Sequence, residues 1–171
     1  MNPGQSSPVR SLDDVERASG AFSMSKVHVF VSFDIEHDGE LYELLLAQSR
    51  SPGFDFAVSG GSERSKDTDV CSESVRRRIR EADQVIVICG EHTEASPRMS
   101  AELRIAQEER TPYFLLWGRR EIMCTKPIGA KPTEGMYSWT RQILRDQIAV
   151  TLRKAHADAA DAALGAATRK R

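Results

Sequence analysis

Glu102 occupies the position in this chain that most calls for a chemical explanation. On a wheel of 100° per residue, the segment beginning at Pro97 places Met99, Leu103 and Ala106 on one side, with Ile105 and Ala101 at its margin. Glu102 falls inside that apolar stripe, between Ala106 and Ile105, where a carboxylate must be desolvated, paired or turned toward a pocket. The plainer account is a stripe-edge glutamate that reaches solvent or pairs with Arg98 one turn earlier. The chemical account joins it to two other groups: Phe33, Asp34, Glu36 and His37 after one apolar run, and Gly90, Glu91, His92 and Thr93 after another. A lone, partly desolvated carboxylate beside a crevice suits cleavage of the N-glycosidic bond of a nicotinamide dinucleotide. Nicotinamide is bound as a cationic pyridinium and leaves neutral, so no general acid is required. The carboxylate stabilises the oxocarbenium-like ribosyl centre electrostatically. A base that captures or deprotonates an acceptor then decides between hydrolysis, cyclisation and transfer. Loop histidines such as His92 more commonly cap or bond backbone, so the motif does not force that role on it.

The elements that must position these groups read from the pattern. The runs Val85–Cys89 and Tyr113–Trp117 are short and rich in β-branched or aromatic residues, as strands buried on both faces should be. Between them Ser96 suits an N-cap and Pro97 the first helical position, which makes a right-handed βαβ unit and a parallel sheet. Upstream, Lys26 to Phe33 alternates as a strand, with Val27, Val29, Val31 and Phe33 on one face and His28, Phe30 and Ser32 on the other. His28 reads as a packed, hydrogen-bonded residue. A helix starts near Asp38, with Leu41, Leu44 and Leu45 as its buried stripe and Asp38 and Glu40 suited to its positive end.

Phe54 to Val58 alternates like an edge strand, and the polar stretch after it, with Gly60–Gly61, reads as a mobile loop. That glycine pair has neither P-loop nor dinucleotide-fingerprint spacing. A helix from Ser72 to Ala82 carries Val75, Ile79 and Ala82 inward, and Arg76, Arg77, Arg78 and Arg80 read as a solvated face. A short fifth strand is expected around Ile122–Cys124, and a last helix from Ser138 to His156 offers Trp139, Ile143, Leu144, Ile148 and Leu152 to the sheet.

This succession predicts an α/β, flavodoxin-like three-layer fold. Its parallel sheet has four to five strands in the order second, first, third, fourth, fifth (B-A-C-D-E), with helices on both faces. The connections leave the first strand in opposite directions, so a crevice opens between the C-terminal ends of the first and third strands, where ligands bind. Three functions fit poorly. A phosphoacceptor receiver needs an aspartate at the end of the third strand, which here reads Cys89-Gly90-Glu91. A flavin site lacks its hydroxyl-rich phosphate loop, and a serine hydrolase lacks a Gly-x-Ser-x-Gly elbow.

Composition sets the outer bounds. At 171 residues the chain suits one domain with tails: a disordered leader over 1–23, a domain over 24–156, and an Ala-rich, basic-ended tail over 157–171. Met24 reads as an independent start. A net charge of −1 gives no field for nucleic acid or an anionic membrane. No apolar run is long enough to span a bilayer. Cys71, Cys89 and Cys124 lack the spacing of zinc or redox motifs, so no metal is expected, and a reducing cytoplasm is the natural compartment.

Three segments together carry a family resemblance: VHVFVSFDIEHD, then SESVRRRIREADQVIVICGEHTEASPRMSAELRIAQEERTPYFLLW, then MYSWTRQILRDQI. They resemble the TIR-like domains of the Thoeris anti-phage defence system over roughly residues 26–155, in the FDxExD start and in GEHT followed by Ser-x-x-x-x-x-Glu. The resemblance implies a bacterial, cytoplasmic TIR-like fold that consumes NAD as substrate, with no cofactor. Its product would be a cyclic or conjugated ADP-ribose signal that activates a partner effector during phage infection, with homo-oligomerisation left open. It also implies that Glu102 matches the catalytic glutamate, that Phe33 and Asp34 line the pocket, and that Ser59 begins a loop bordering it. Gly90, His92 and Thr93 match the family's GxHT turn, with His92 and Thr93 expected at the substrate. The chain departs from the family where relatives commonly carry tryptophans before the glutamate: it has Arg98, Met99 and Ala101. A non-catalytic interaction or nucleotide-binding module is the alternative function, because a fold does not fix an activity.

Overall fold

The computed structural model describes residues 26–64, 73–150, 153 and 157. The expected leader, Cys71 and all of the expected tail except Ala157 lie outside the described residues. The elements in chain order are β1 (Val27–Ser32), α1 (Gly39–Ser49), β2 (Phe56–Gly61), α2 (Glu73–Glu81), β3 (Gln84–Cys89), α3 (Pro97–Glu108), β4 (Tyr113–Trp117) and β5 (Met136–Ser138), with a 3-10 turn at Thr93–Ala95 before α3. A further helix, α4, covers residues 141–150. The five strands form one all-parallel sheet in the order β2-β1-β3-β4-β5, so the chain has the flavodoxin-like, TIR-like α/β architecture. No helix among the described residues is long and apolar enough to cross a membrane.

The two-residue period of the strands divides the interior into two layers. Val29, Val31, Ile86, Ile88, Phe114 and Leu116 face α1 and α4, where Leu41, Leu45, Leu144 and Ile148 cover them. Phe30, Val85, Val87 and Leu115 face α2 and α3, where Ile79, Met99, Leu103 and Ala106 cover them. β3 is buried along its whole length, Gln84 included, as the apolar run Val85–Cys89 requires. The stripe of α1 is narrower than its leucines suggest, since Leu44 is half exposed.

Three expectations are corrected. The fifth strand is Met136–Ser138, not Ile122–Cys124. A parallel neighbour of β4 needs a crossover of a dozen or more residues to bring the chain back, and Ile122 follows Trp117 too closely for that. Residues 118–135 supply the length, and Met123 stays exposed while Cys124 packs inside. Second, Ser59, Gly60 and Gly61 are not loop but the last part of β2. Arg78 and Tyr42 close on these glycines, so that a Cβ on Gly60 would lie 2.7 Å from Arg78 Nη2 and one on Gly61 2.8 Å from Tyr42 Cε2. Third, the arginines of α2 are not simply solvated. Arg76 clasps Glu108 and Glu109 at the end of α3, each at 2.7 Å. Arg78 reaches Glu63 at 2.7 Å and lies over the Phe30 ring.

Candidate active site

Ser96 caps α3 as its sequence predicts, its hydroxyl accepting from Met99 N–H with Pro97 behind it. The helix then lays its apolar stripe on the sheet and carries Glu102 with it to 1% exposure. Opposite Glu102 stands Ser32, fully buried on the same face of β1 as Phe30. One residue beyond β2, Ser62 extends the pairing with β1 by donating its N–H to Val31 O. Ser32 Oγ and Ser62 Oγ each donate to Glu102 Oε2 at 2.6 Å, the short distance of an O–H to carboxylate bond. Ser62 Oγ also accepts from Phe33 N–H at 3.1 Å, which locks the hydroxyl in place. Glu102 Oε1 is buried without a partner among the described residues. Burial pushes the carboxyl up from its ordinary 4.5 to about 7, while the two serine bonds and the charges of Arg98 and Arg78 pull the other way. The carboxylate therefore neither reaches solvent nor forms an ion pair with Arg98.

A cavity of about 420 Å³ opens next to this carboxylate's helix. Asp34, Ile35 and Glu36 from the end of β1 line it, with Arg64 after β2 and Ser96, Pro97 and Arg98 from the first turn of α3. Asp34 is buried, its Oδ1 accepting from Glu36 N–H at 2.9 Å and its Oδ2 lying 3.0 Å from His37 Nδ1. No group of three or more His, Cys, Asp or Glu residues that could hold a metal ion occurs among the described residues.

The other residues singled out by the sequence do not gather here. The Phe33 ring stacks on Tyr42 at 4.6 Å in the layer under α1, while Glu102 packs from the α3 side, so only the Phe33 backbone joins the two. Ser59 sits where the β1–β2 register shifts, exposed, with its hydroxyl donated to Val29 O at 3.2 Å; it does not border the cavity. Thr93 is buried and structural, its Oγ1 accepting from Gly90 N–H at 2.8 Å to close the turn. His92 is exposed, its ring 4.2 Å from that of His37 and its Nε2 3.9 Å from Glu91. Gly90 is required by close packing, because a Cβ there would lie 2.0 Å from Asp38 Oδ2.

Ser32 and Ser62 gain importance that their sequence positions barely announce. The local signal was slight: Ser32 is a small hydroxyl on the face of β1 that also carries Phe30.

The family model for the TIR-like domain of the Thoeris protein ThsB matches residues 30–119, which contain Ser32, Asp34, Ser62 and Glu102. The chain belongs to the Thoeris ThsB TIR-like family. In fold it is similar to the TIR domain of the Toll-related receptor TRR-2 from the lower metazoan Hydra magnipapillata, at 15% identity over 76% of this chain and 95% of that one, with a TM-score of 0.47. No curated protein matches. Within this ThsB-type domain, the matched segment runs from β1 to just past β4 and leaves β5 and α4 outside it.

Proposed function

We propose that this ThsB-type domain processes NAD, cleaving the nicotinamide–ribose bond with Glu102 as the catalytic carboxylate. The observation that carries the reading is Glu102 itself, a buried carboxylate where the ends of β1 and β2 meet α3, held on one oxygen by two neutral hydroxyls and unpartnered on the other among the described residues. Leaving a buried acceptor oxygen unpaired costs about 1–3 kcal/mol, and Glu102, unlike Asp38, has no hydrogen-bonded cation among the described residues to offset it. In the reaction the C1′–N bond breaks with its electron pair going to the ring nitrogen, so the pyridinium leaves as neutral nicotinamide. The ionised Glu102 stabilises the cationic ribosyl centre. Sealed at 1% exposure and absent from the cavity lining, the carboxylate meets a ribose only when the side chains covering it move aside, and a sugar hydroxyl can then donate to it as the serines do.

An acceptor then captures the ribosyl centre. Water gives ADP-ribose, while an internal or foreign nucleophile gives a cyclic or conjugated ADP-ribose, the form that suits a signal to a partner effector in anti-phage defence. Incubation of the full chain with NAD, alone and in extracts of phage-infected cells, followed by mass spectrometry, tests the reading. Nicotinamide and an ADP-ribose-derived product are expected, and neither with Glu102→Gln. Equal release by the Glu102→Gln protein would overturn it. The sealing of Glu102 also favours a second reading, a nucleotide-binding module without turnover, which predicts binding of ADP-ribose and no nicotinamide from either source.

A further inference from the structure

The 420 Å³ cavity is lined by charges of both signs. Asp34 and Glu36 bring carboxylates from the end of β1, Arg64 follows β2, and Arg98 comes from the first turn of α3. Asp34 is already engaged by His37 and by the Glu36 N–H. Arg64 meets Glu36 at 3.4 Å, but both side chains are largely exposed, and such a pair holds weakly. Arg98 makes no hydrogen bond or ion pair among the described residues, although it is partly buried. Its nearest influence on a charge is the pull it exerts on Glu102, one helical turn along.

A guanidinium presents a planar fork of donors that matches phosphate oxygens two at a time. Unspent donors on the wall of a cavity within the roughly 300–1,000 Å³ range of small-molecule sites make an anion receptor. We propose that Arg98, assisted by Arg64, is the diphosphate-binding residue of this cavity and sets its selectivity for charged nucleotides. That the anion is a diphosphate rests on the NAD reading above. The spacing fits that reading: residues four apart on a helix are neighbours, about 5–6 Å between Cβ atoms, and in a nicotinamide dinucleotide a single ribose joins the diphosphate to the bond being cleaved. The carboxylates of Asp34 and Glu36 in the same lining suit the cationic pyridinium of the same mononucleotide.

The test uses the full chain carrying Glu102→Gln, so that turnover does not consume ligand, titrated calorimetrically with ADP-ribose at low and high salt. Adding Arg98→Gln should weaken ADP-ribose binding by at least about tenfold, the loss of one charge-assisted contact, and flatten its salt dependence. Arg98→Lys should recover part of the affinity, since it keeps the charge and loses the fork. Arg104→Gln, on an exposed side chain of the same helix that faces Glu108, should leave affinity unchanged. An Arg98→Gln affinity within about twofold of the parent overturns the proposal, as does an absence of ADP-ribose binding to the parent. The two readings separate cleanly. Binding through Arg98 with no nicotinamide release by the otherwise native chain keeps the subsite and removes the catalysis. Release of nicotinamide with Arg98-independent ADP-ribose binding does the reverse.

Discussion

Two carboxylates of this domain are buried to the same degree and answered in opposite ways. Glu102 and Asp38 are each 1% exposed, and each keeps one oxygen without a partner among the described residues. Burial raises both above the ordinary range for a carboxyl. Asp38 is met by a cation: Arg119 donates to its Oδ1 at 3.2 Å and also to Glu40 and His37 O, tying the segment after β4 to the start of α1. Glu102 is met by two hydroxyls that carry no charge. A guanidinium neutralises a carboxylate and fixes it in the fold, whereas a hydroxyl leaves the charge available and can be exchanged for a sugar hydroxyl. On the proposed function, the same kind of buried acid serves as a staple in one place and as a reagent in the other.

The comparison is broken most forcefully by exchanging the two acids for their amides. Glu102→Gln should lower nicotinamide release by about 10²–10³-fold, the cost of removing one preorganised electrostatic contact, while Asp38→Asn should act on release only through stability. Comparable catalytic losses from both amides would erase the distinction.

Next in size is the pH dependence of folding. Glu102 holds its proton in the folded state up to about pH 7 but releases it near 4.5 when unfolded, so the folded state binds more protons in that window. Stability must therefore fall as pH rises from 4.5 to about 7, by an amount of order 3 kcal/mol, and change no further from this source above that. Urea unfolding of Glu102→Gln at the same pH values should show that fall removed, leaving the part of the same sign that Asp38 contributes.

Arg119→Ala should cost about 1–3 kcal/mol by leaving Asp38 buried without its donor, with kcat for NAD unchanged. The smallest effect sharpens the site itself. Because both serine bonds favour the ionised form of Glu102, Ser62→Ala should move the acid limb of nicotinamide release to higher pH, as should Ser32→Ala.

Much of this arrangement was legible in the chain. The period of two in Val27–Phe33, the continuous apolar runs of β3 and β4, and the Ser96-Pro97 start of α3 carry the sheet order, because local pattern and parallel connectivity leave few alternatives. The stripe position of Glu102 announced a buried acid for the same reason. What lay hidden depends on contacts between residues far apart in sequence. Ser62 reaches Glu102 across 40 positions, and nothing local in Ser62-Glu63-Arg64 marks it. Phe33 was expected to line the pocket, but the alternation that identified its strand also sends its ring to the layer under α1, away from Glu102. Ser59 was expected at a pocket rim, but the register shift between β1 and β2 keeps it within the strand pair. The fifth strand, Met136–Ser138, is only three residues long, too short for a periodic pattern to mark it in the chain.

The most direct measurement is the pH profile of kcat/KM for nicotinamide release from NAD by the full chain. The account predicts a rising limb with a midpoint at about 7, where Glu102 loses its proton, and no such limb above background in Glu102→Gln. A rate that is flat from pH 5 to 8, or a limb that survives in the Glu102→Gln protein, would contradict it.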